Sequence, residues 1–207
     1  MIKVSDITIE KIRNGQLQNK LPEFFELKKC IENNNWHKND SVFSHTLNVL
    51  EELKKLLKII NNKINSYLNQ KIDNYSKRDL LFLSTLFHDI GKIYTITTEE
   101  NKFTSCLKHE KVGSEKVKDI LKRFDLSKKE KAIVINIIKY HGEIHPIFSS
   151  KNTNIEKQFA DFKQRHHDIF IELILLGMSD TFGSQLRENN MEEYNFRSDF
   201  YKRIIEN

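Results

Sequence analysis

Apolar residues recur at three- and four-residue intervals along most of this chain, and only two prolines and six glycines interrupt them. That periodicity gives each helix one apolar stripe. Stripes of this kind bury themselves against one another, so the natural class is all-α, a helical bundle. The spacing predicts helices near 22–34, 41–67, 76–91, 108–125, 128–141, 155–164, 167–187 and 191–206. The stretch 93–103, IYTITTEENKF, is β-prone and is expected as a short hairpin or ordered loop. Residues 142–154 hold Pro146 and several Ser and Asn residues, and are expected as a loop. With 207 residues the chain can bury a substantial core. No internal repeat or linker argues for a second domain, so the expected organisation is an N-terminal appendage over 1–20 and one domain over 21–207.

One helix ends in residues that do not suit its apolar character. Leu80, Leu83, Phe87 and Ile90 keep helical spacing through DLLFLSTLFHDIGK, and His88-Asp89 closes that run. Gly91 is expected as a left-handed C-terminal cap. Asp89 falls on the stripe of Phe82 and Leu86, where an unpaired carboxylate would cost several kcal/mol. A cation removes that penalty, and a carboxylate beside an imidazole begins a divalent metal site.

Other helices offer partners. His45 shares a face with Val49, Leu53 and Leu56, and His109 leads the stripe of Gly113, Val117, Ile120 and Phe124. His141 closes the stripe of Val134, Ile137 and Ile138, and Asp180 continues that of Ile169, Leu173 and Leu176. A lone histidine on an apolar face is usually a satisfied core residue. Several helices each carrying such a residue point instead to one shared metal centre.

Composition narrows the function classes. The net charge of +5 comes from a lysine- and asparagine-rich chain without an arginine-rich helix, so sequence-specific DNA binding is not expected. Basic surface near a metal cleft would still favour phosphate-bearing substrates. No run approaches a membrane span or a signal sequence, and two cysteines make no disulfide framework, so a cytoplasmic protein without membrane association is expected. Cys106, three residues before His109, is a minor ligand candidate. His141-Gly-Glu-Ile-His145 looks like a zinc-protease motif, but its glutamate is at the wrong offset. Pro146 is also expected to turn His145 away from the face of His141.

The ordered set His45, His88-Asp89 and Asp180 resembles the HD-domain metal-dependent phosphohydrolases from about Leu21 to Leu186. It is most similar to the HD domains attached to tRNA nucleotidyltransferases and poly(A) polymerases, and to their stand-alone relatives. Leu21-Pro-Glu, His45-Thr-Leu, His88-Asp-Ile-Gly-Lys and His109-Glu with Gly113 carry that likeness. No nucleotidyltransferase segment precedes these motifs here, so tRNA tailing is not expected.

The resemblance implies an HD domain over 21–207 with a divalent ion (Mn, Ni, Co, Mg, Fe or Zn) held by His45, His88, Asp89 and Asp180. A second ion would use His109, His141 and His145 as a third candidate, with Asp89 bridging, so one or two ions per chain are expected. In a one-metal site the same histidines would meet phosphate. Asp89 and Lys92 are the catalytic candidates, Lys92 by contacting substrate phosphate. The implied reaction is hydrolysis of a phosphomonoester or phosphodiester of a nucleotide or RNA end, including a 2′,3′-cyclic phosphate. The alternatives are a di-iron oxygenase on the same cage and a non-catalytic nucleotide- or RNA-binding module with a structural metal. Oligomeric state is not legible.

Overall fold

The computed structural model describes residues 1–206. Its longer helices are α1 (Val42–Leu56), α2 (Lys77–Phe87), α3 (His109–Leu121), α4 (Lys128–Tyr140), α5 (Ile155–Arg165), α6 (Phe170–Gly183) and α7 (Met191–Glu206). Two small antiparallel pairs accompany them, β1 (Ile31–Asn33) with β2 (Lys38–Ser41) and β3 (Thr97–Thr98) with β4 (Thr104–Ser105). No helix among the described residues is long and apolar enough to cross a membrane.

Local chemistry sets where the helices begin. Ser41 Oγ accepts the Ser44 N–H at 3.1 Å and starts α1. Ser76 and Asp79 form a reciprocal capping box at the start of α2, and Ser127 and Glu130 form another at α4. Glu130 is fully buried, yet its carboxylate collects the N–H groups of Asn74 (2.6 Å), Tyr75 (2.7 Å) and Ser127 (2.8 Å). One side chain thus caps α4 and fixes the loop that leads into α2.

α1 packs along α6 and against α2, while α4 packs on both α3 and α2. Buried residues form two apolar clusters. One joins Ile12, Leu21 and Phe24 to Leu50, Phe87, Val117 and Phe124. The other joins Val49 and Leu53 to Leu81, Ile137, Leu173, Leu176 and Tyr201. The N-terminal residues Val4, Ile7, Ile9 and Ile12 belong to the first cluster. α1 and α2 supply residues to both.

Several boundaries differ from the sequence-based expectation. The helix expected over 22–34 stops early, as Pro22–Glu26 followed by a 3₁₀ turn over Leu27–Lys29, and β1 begins at Ile31. Asn34 Oδ1 accepts the N–H groups of Trp36 (2.8 Å) and His37 (3.0 Å), which closes a hairpin in place of a helix. The helix expected over 41–67 is broken after Leu56, because Asn61 caps a new helix, Asn62–Leu68, by accepting the Ile64 N–H at 2.9 Å. The loop expected over 142–154 contains a 3₁₀ turn, His141–Glu143, and a short helix, Ile144–Ile147, whose isoleucines are buried.

Gly91 is not a left-handed cap. Its φ is −75°, and it introduces the short helix Lys92–Thr95. Glycine is required there for closeness, since a Cβ would collide with the His109 carbonyl oxygen and stand 2.6 Å from the Gly113 nitrogen. α3 therefore crosses directly over the chain that follows Asp89.

Candidate metal centre

Each polar residue of the site sits at or near the end of a helix whose apolar face is buried. His45 projects from α1, His88 and Asp89 follow α2, and His109 opens α3. His141 follows α4, His145 lies on the short helix after it, and Asp180 is on α6. His45, His88, Asp89 and His141 are each at most 3% exposed.

The structure brings all seven together. His45 Nε2 stands 2.8 Å from Asp180 Oδ1 and 3.6 Å from Asp89 Oδ2. His88 Nε2 is 3.2 Å from Asp89 Oδ2 and 3.9 Å from Asp180 Oδ1. The other Asp89 oxygen, Oδ1, is 3.2 Å from His109 Nε2 and 3.7 Å from His141 Nε2, and those two nitrogens are 3.4 Å apart. His145 Nε2 lies 2.8 Å from Asp180 Oδ2. Two tight triads result, His45–His88–Asp89 and Asp89–His109–His141, with Asp89 common to both. Asp180 joins the first through Oδ1, which faces His45 and His88, while its Oδ2 meets His145.

Ring orientation is fixed from behind. The Nδ1 atoms of His88, His109 and His141 lie 2.8, 2.8 and 2.7 Å from the carbonyl oxygens of Thr85, Cys106 and Ile138, each three residues earlier. A carbonyl can only accept, so each Nδ1 donates, and in the neutral ring each Nε2 presents its lone pair to the centre.

Nearby buried hydroxyls of Thr46, Ser84, Thr85, Ser179 and Thr181 donate to their own helices. Among the described residues, the buried side-chain atoms without a well-formed hydrogen bond include His45 Nε2, His88 Nε2 and Asp89 Oδ2, which face the centre. Such orphans cost about 1–3 kcal/mol each. Donors bound at about 2.1 Å to one ion and about 90–110° apart would be separated by roughly 3.0–3.4 Å. The separations of Asp89 from the triad histidines, and of His109 from His141, run from 3.2 to 3.7 Å, overlapping that range and exceeding it by a few tenths of an ångström, so the residues fit a divalent cation in either triad.

Charge within the site is strongly coupled. Burial alone would raise the Asp89 carboxyl, but His88, Lys92 and hydrogen bonds from His109 and His141 hold it well below the usual carboxylate range. Asp180 is likewise held low against its burial by His145 and His45. Burial would lower His88 and His109, yet both are pushed up, His109 by Asp89 and His88 by Asp89 together with Asp180 and the Thr85 carbonyl. Burial pushes His141 down, aided by the neighbouring His88 and His109.

Lys92 is no surface lysine. It is 8% exposed, and its Nζ lies 2.9 Å from Asp89 Oδ2 and 2.8 Å from Glu32 Oε2. Glu32 and His37 come from the β1–β2 hairpin, Glu32 from a stretch expected to be helical and His37 from just beyond it. His37 packs edge-on to His45 with ring centroids 4.5 Å apart, and burial pushes its pKa down to about 2, so it stays neutral. Trp36, between them, lines the cleft and packs edge-on to His145. The Asn-rich segment around a Trp-His pair was a turn signal that could have located these residues.

Pro146 does not turn His145 away. It occupies the first turn of the short helix, where its missing N–H is not needed, and His141 and His145 line the same cleft. Cys106 joins neither triad. Its thiol is 3.9 Å from Glu32 Oε1, and burial together with Glu32 pushes it up to about 12. The cleft, about 350 Å³, opens between the hairpin and the start of α3.

Helices whose ends gather histidines and aspartates around one buried point define a class, the all-α metal-centre bundles. A family model, the HD domain, matches residues 42–182, from the first residue of α1 into the last turn of α6. The chain belongs to the HD domain family, whose members are generally metal-dependent phosphohydrolases.

Proposed function

We propose that this protein is a metal-dependent phosphohydrolase that cleaves a phosphomonoester or phosphodiester of a nucleotide or RNA end. The observation that carries the reading is the pair of triads sharing Asp89 at the floor of an open cleft. Divalent ions bound there would supply Lewis acidity and lower the pKa of a coordinated water. Asp89 would offer one oxygen to each triad and so hold both halves of the site in register. His109 and His141 lie within the cleft, where a phosphoryl group has access to them. Asp180 Oδ2 and His145 Nε2, 2.8 Å apart, form a pair suited to hold a proton at the cleft edge. Lys92 would present positive charge to the phosphate from a position fixed by Glu32.

The test is a panel of nucleoside monophosphates, 2′,3′-cyclic nucleotides and phosphorylated oligoribonucleotides. It is run after chelation and after reloading with Mn²⁺, Ni²⁺, Co²⁺, Mg²⁺, Fe²⁺ or Zn²⁺. Turnover that returns with metal, is abolished in Asp89→Ala and is weakened in Lys92→Ala with metal still bound is the expected result. Metal-dependent stability without turnover of any phosphoester would instead identify a binding module. The shared carboxylate also suits two irons, so a di-iron oxygenase is the second reading. Oxygen-dependent turnover of the iron-loaded protein alone would establish it.

A further inference from the structure

The cleft does not end at the triads. A second trough, lined by Lys108, Lys111, Lys139 and Tyr140, shares Lys108, Glu110 and Gly142 with it. Lys108 and Lys111 flank the ligand His109, and Lys139 and Tyr140 precede the ligand His141. The trough therefore begins within a residue or two of the site. All three lysines are exposed, and none has a carboxylate within ion-pair distance among the described residues. Lys139 Nζ rests 4.9 Å from the Tyr140 ring centroid. Of the two acidic side chains at this trough, Glu143 is already engaged by Arg165 at 2.9 Å and His166 at 3.0 Å. The remaining one, Glu110, lies against His109. The balance of uncommitted charge is positive.

We infer that this trough is a second-phosphate subsite, so the substrate is an oligonucleotide whose next backbone phosphate lies on Lys108, Lys111 and Lys139. The inference rests on the phosphohydrolase reading and narrows it from nucleotides in general to the end of a chain. Lysines recognise a phosphodiester as point charges. Tyr140, half-buried, packs against His166 with ring centroids 4.6 Å apart and lies under Lys139, so it shapes the trough and the lysines supply the recognition. A mononucleotide would leave the trough unfilled.

The experiment compares the metal-loaded full chain with its Lys111→Gln, Lys139→Gln double variant. Two probes are used: fluorescein-labelled pentauridylate with cleavage-resistant phosphorothioate linkages, and p-nitrophenyl phosphate, whose single phosphoryl group reaches only the triads. The variant should bind the oligonucleotide about tenfold more weakly, and its slope of log affinity against log salt should be shallower by about 0.7, the value for one phosphate. Hydrolysis of p-nitrophenyl phosphate should be unchanged, which also reports intact folding. Equal oligonucleotide affinity in both proteins, no binding by either, or a parallel fall in p-nitrophenyl phosphate turnover would overturn the subsite. Lysine-dependent binding by a protein that hydrolyses no phosphoester would leave the subsite standing and sink the phosphohydrolase reading.

Discussion

His88 and His109 carry the clearest pH signature. Both are pushed up by Asp89, against their burial. A base whose folded pKa exceeds its unfolded value of about 6.5 stabilises the metal-free fold fully below that pH. The contribution is lost as pH rises through the folded value. A cation has to displace those protons, so its binding should release protons near neutral pH. Its affinity should keep climbing above about pH 6.5 rather than levelling there. Calorimetry in buffers of different ionisation enthalpy counts the protons, and a count of zero at neutral pH would contradict the account.

Lys92 gives a second test. Lys92→Met leaves Glu32 and Asp89 buried without their shared cation, at a cost of about 3–5 kcal/mol in the metal-free protein. Adding Glu32→Gln should restore part of that, with a coupling of about 1–3 kcal/mol by urea denaturation. Strict additivity would show that the pair acts independently. The sequence made the polar residues on apolar stripes visible. It did not reveal Glu32 or His37, whose burial depends on a hairpin folding back over the cleft.

Among elements, the crossing of α3 over Gly91 positions His109. A methyl group at Gly91 would meet backbone on α3, which cannot yield as a flexible side chain would. Gly91→Ala should cost about 1–3 kcal/mol and displace His109, so the ion of the His109–His141 triad is lost first. Gly113→Ala should be milder, since its nearest neighbours stand 3.2–3.5 Å away. Thermal melting with metal analysis separates the two, and equal effects would mean that the crossing does not set the site. The long helices were legible because their stripes run for several turns. The Gly91 spacing was legible too, but its cause was not, because closeness between two backbones leaves no trace in local pattern. The break after Leu56 and the hairpin at Ile31 were missed for a related reason: asparagine side chains that satisfy backbone N–H groups compete with helix continuation.

Over the whole molecule, α1 and α2 contribute to both apolar clusters, and His45 on α1 and His88-Asp89 after α2 carry the polar centre. The all-α class could be read from periodicity because the sheets are only short pairs. The number of ions could not, since it depends on which oxygen of Asp89 faces which histidines. In the folded chain Oδ2 faces His45 and His88 while Oδ1 faces His109 and His141. The central claim is that one carboxylate serves two cation sites. Elemental analysis of the metal-saturated protein and two variants tests it most directly. Two ions per chain are expected in the wild type, about one in His141→Ala and none in Asp89→Ala. A single ion in the wild type, unchanged in His141→Ala, would contradict it.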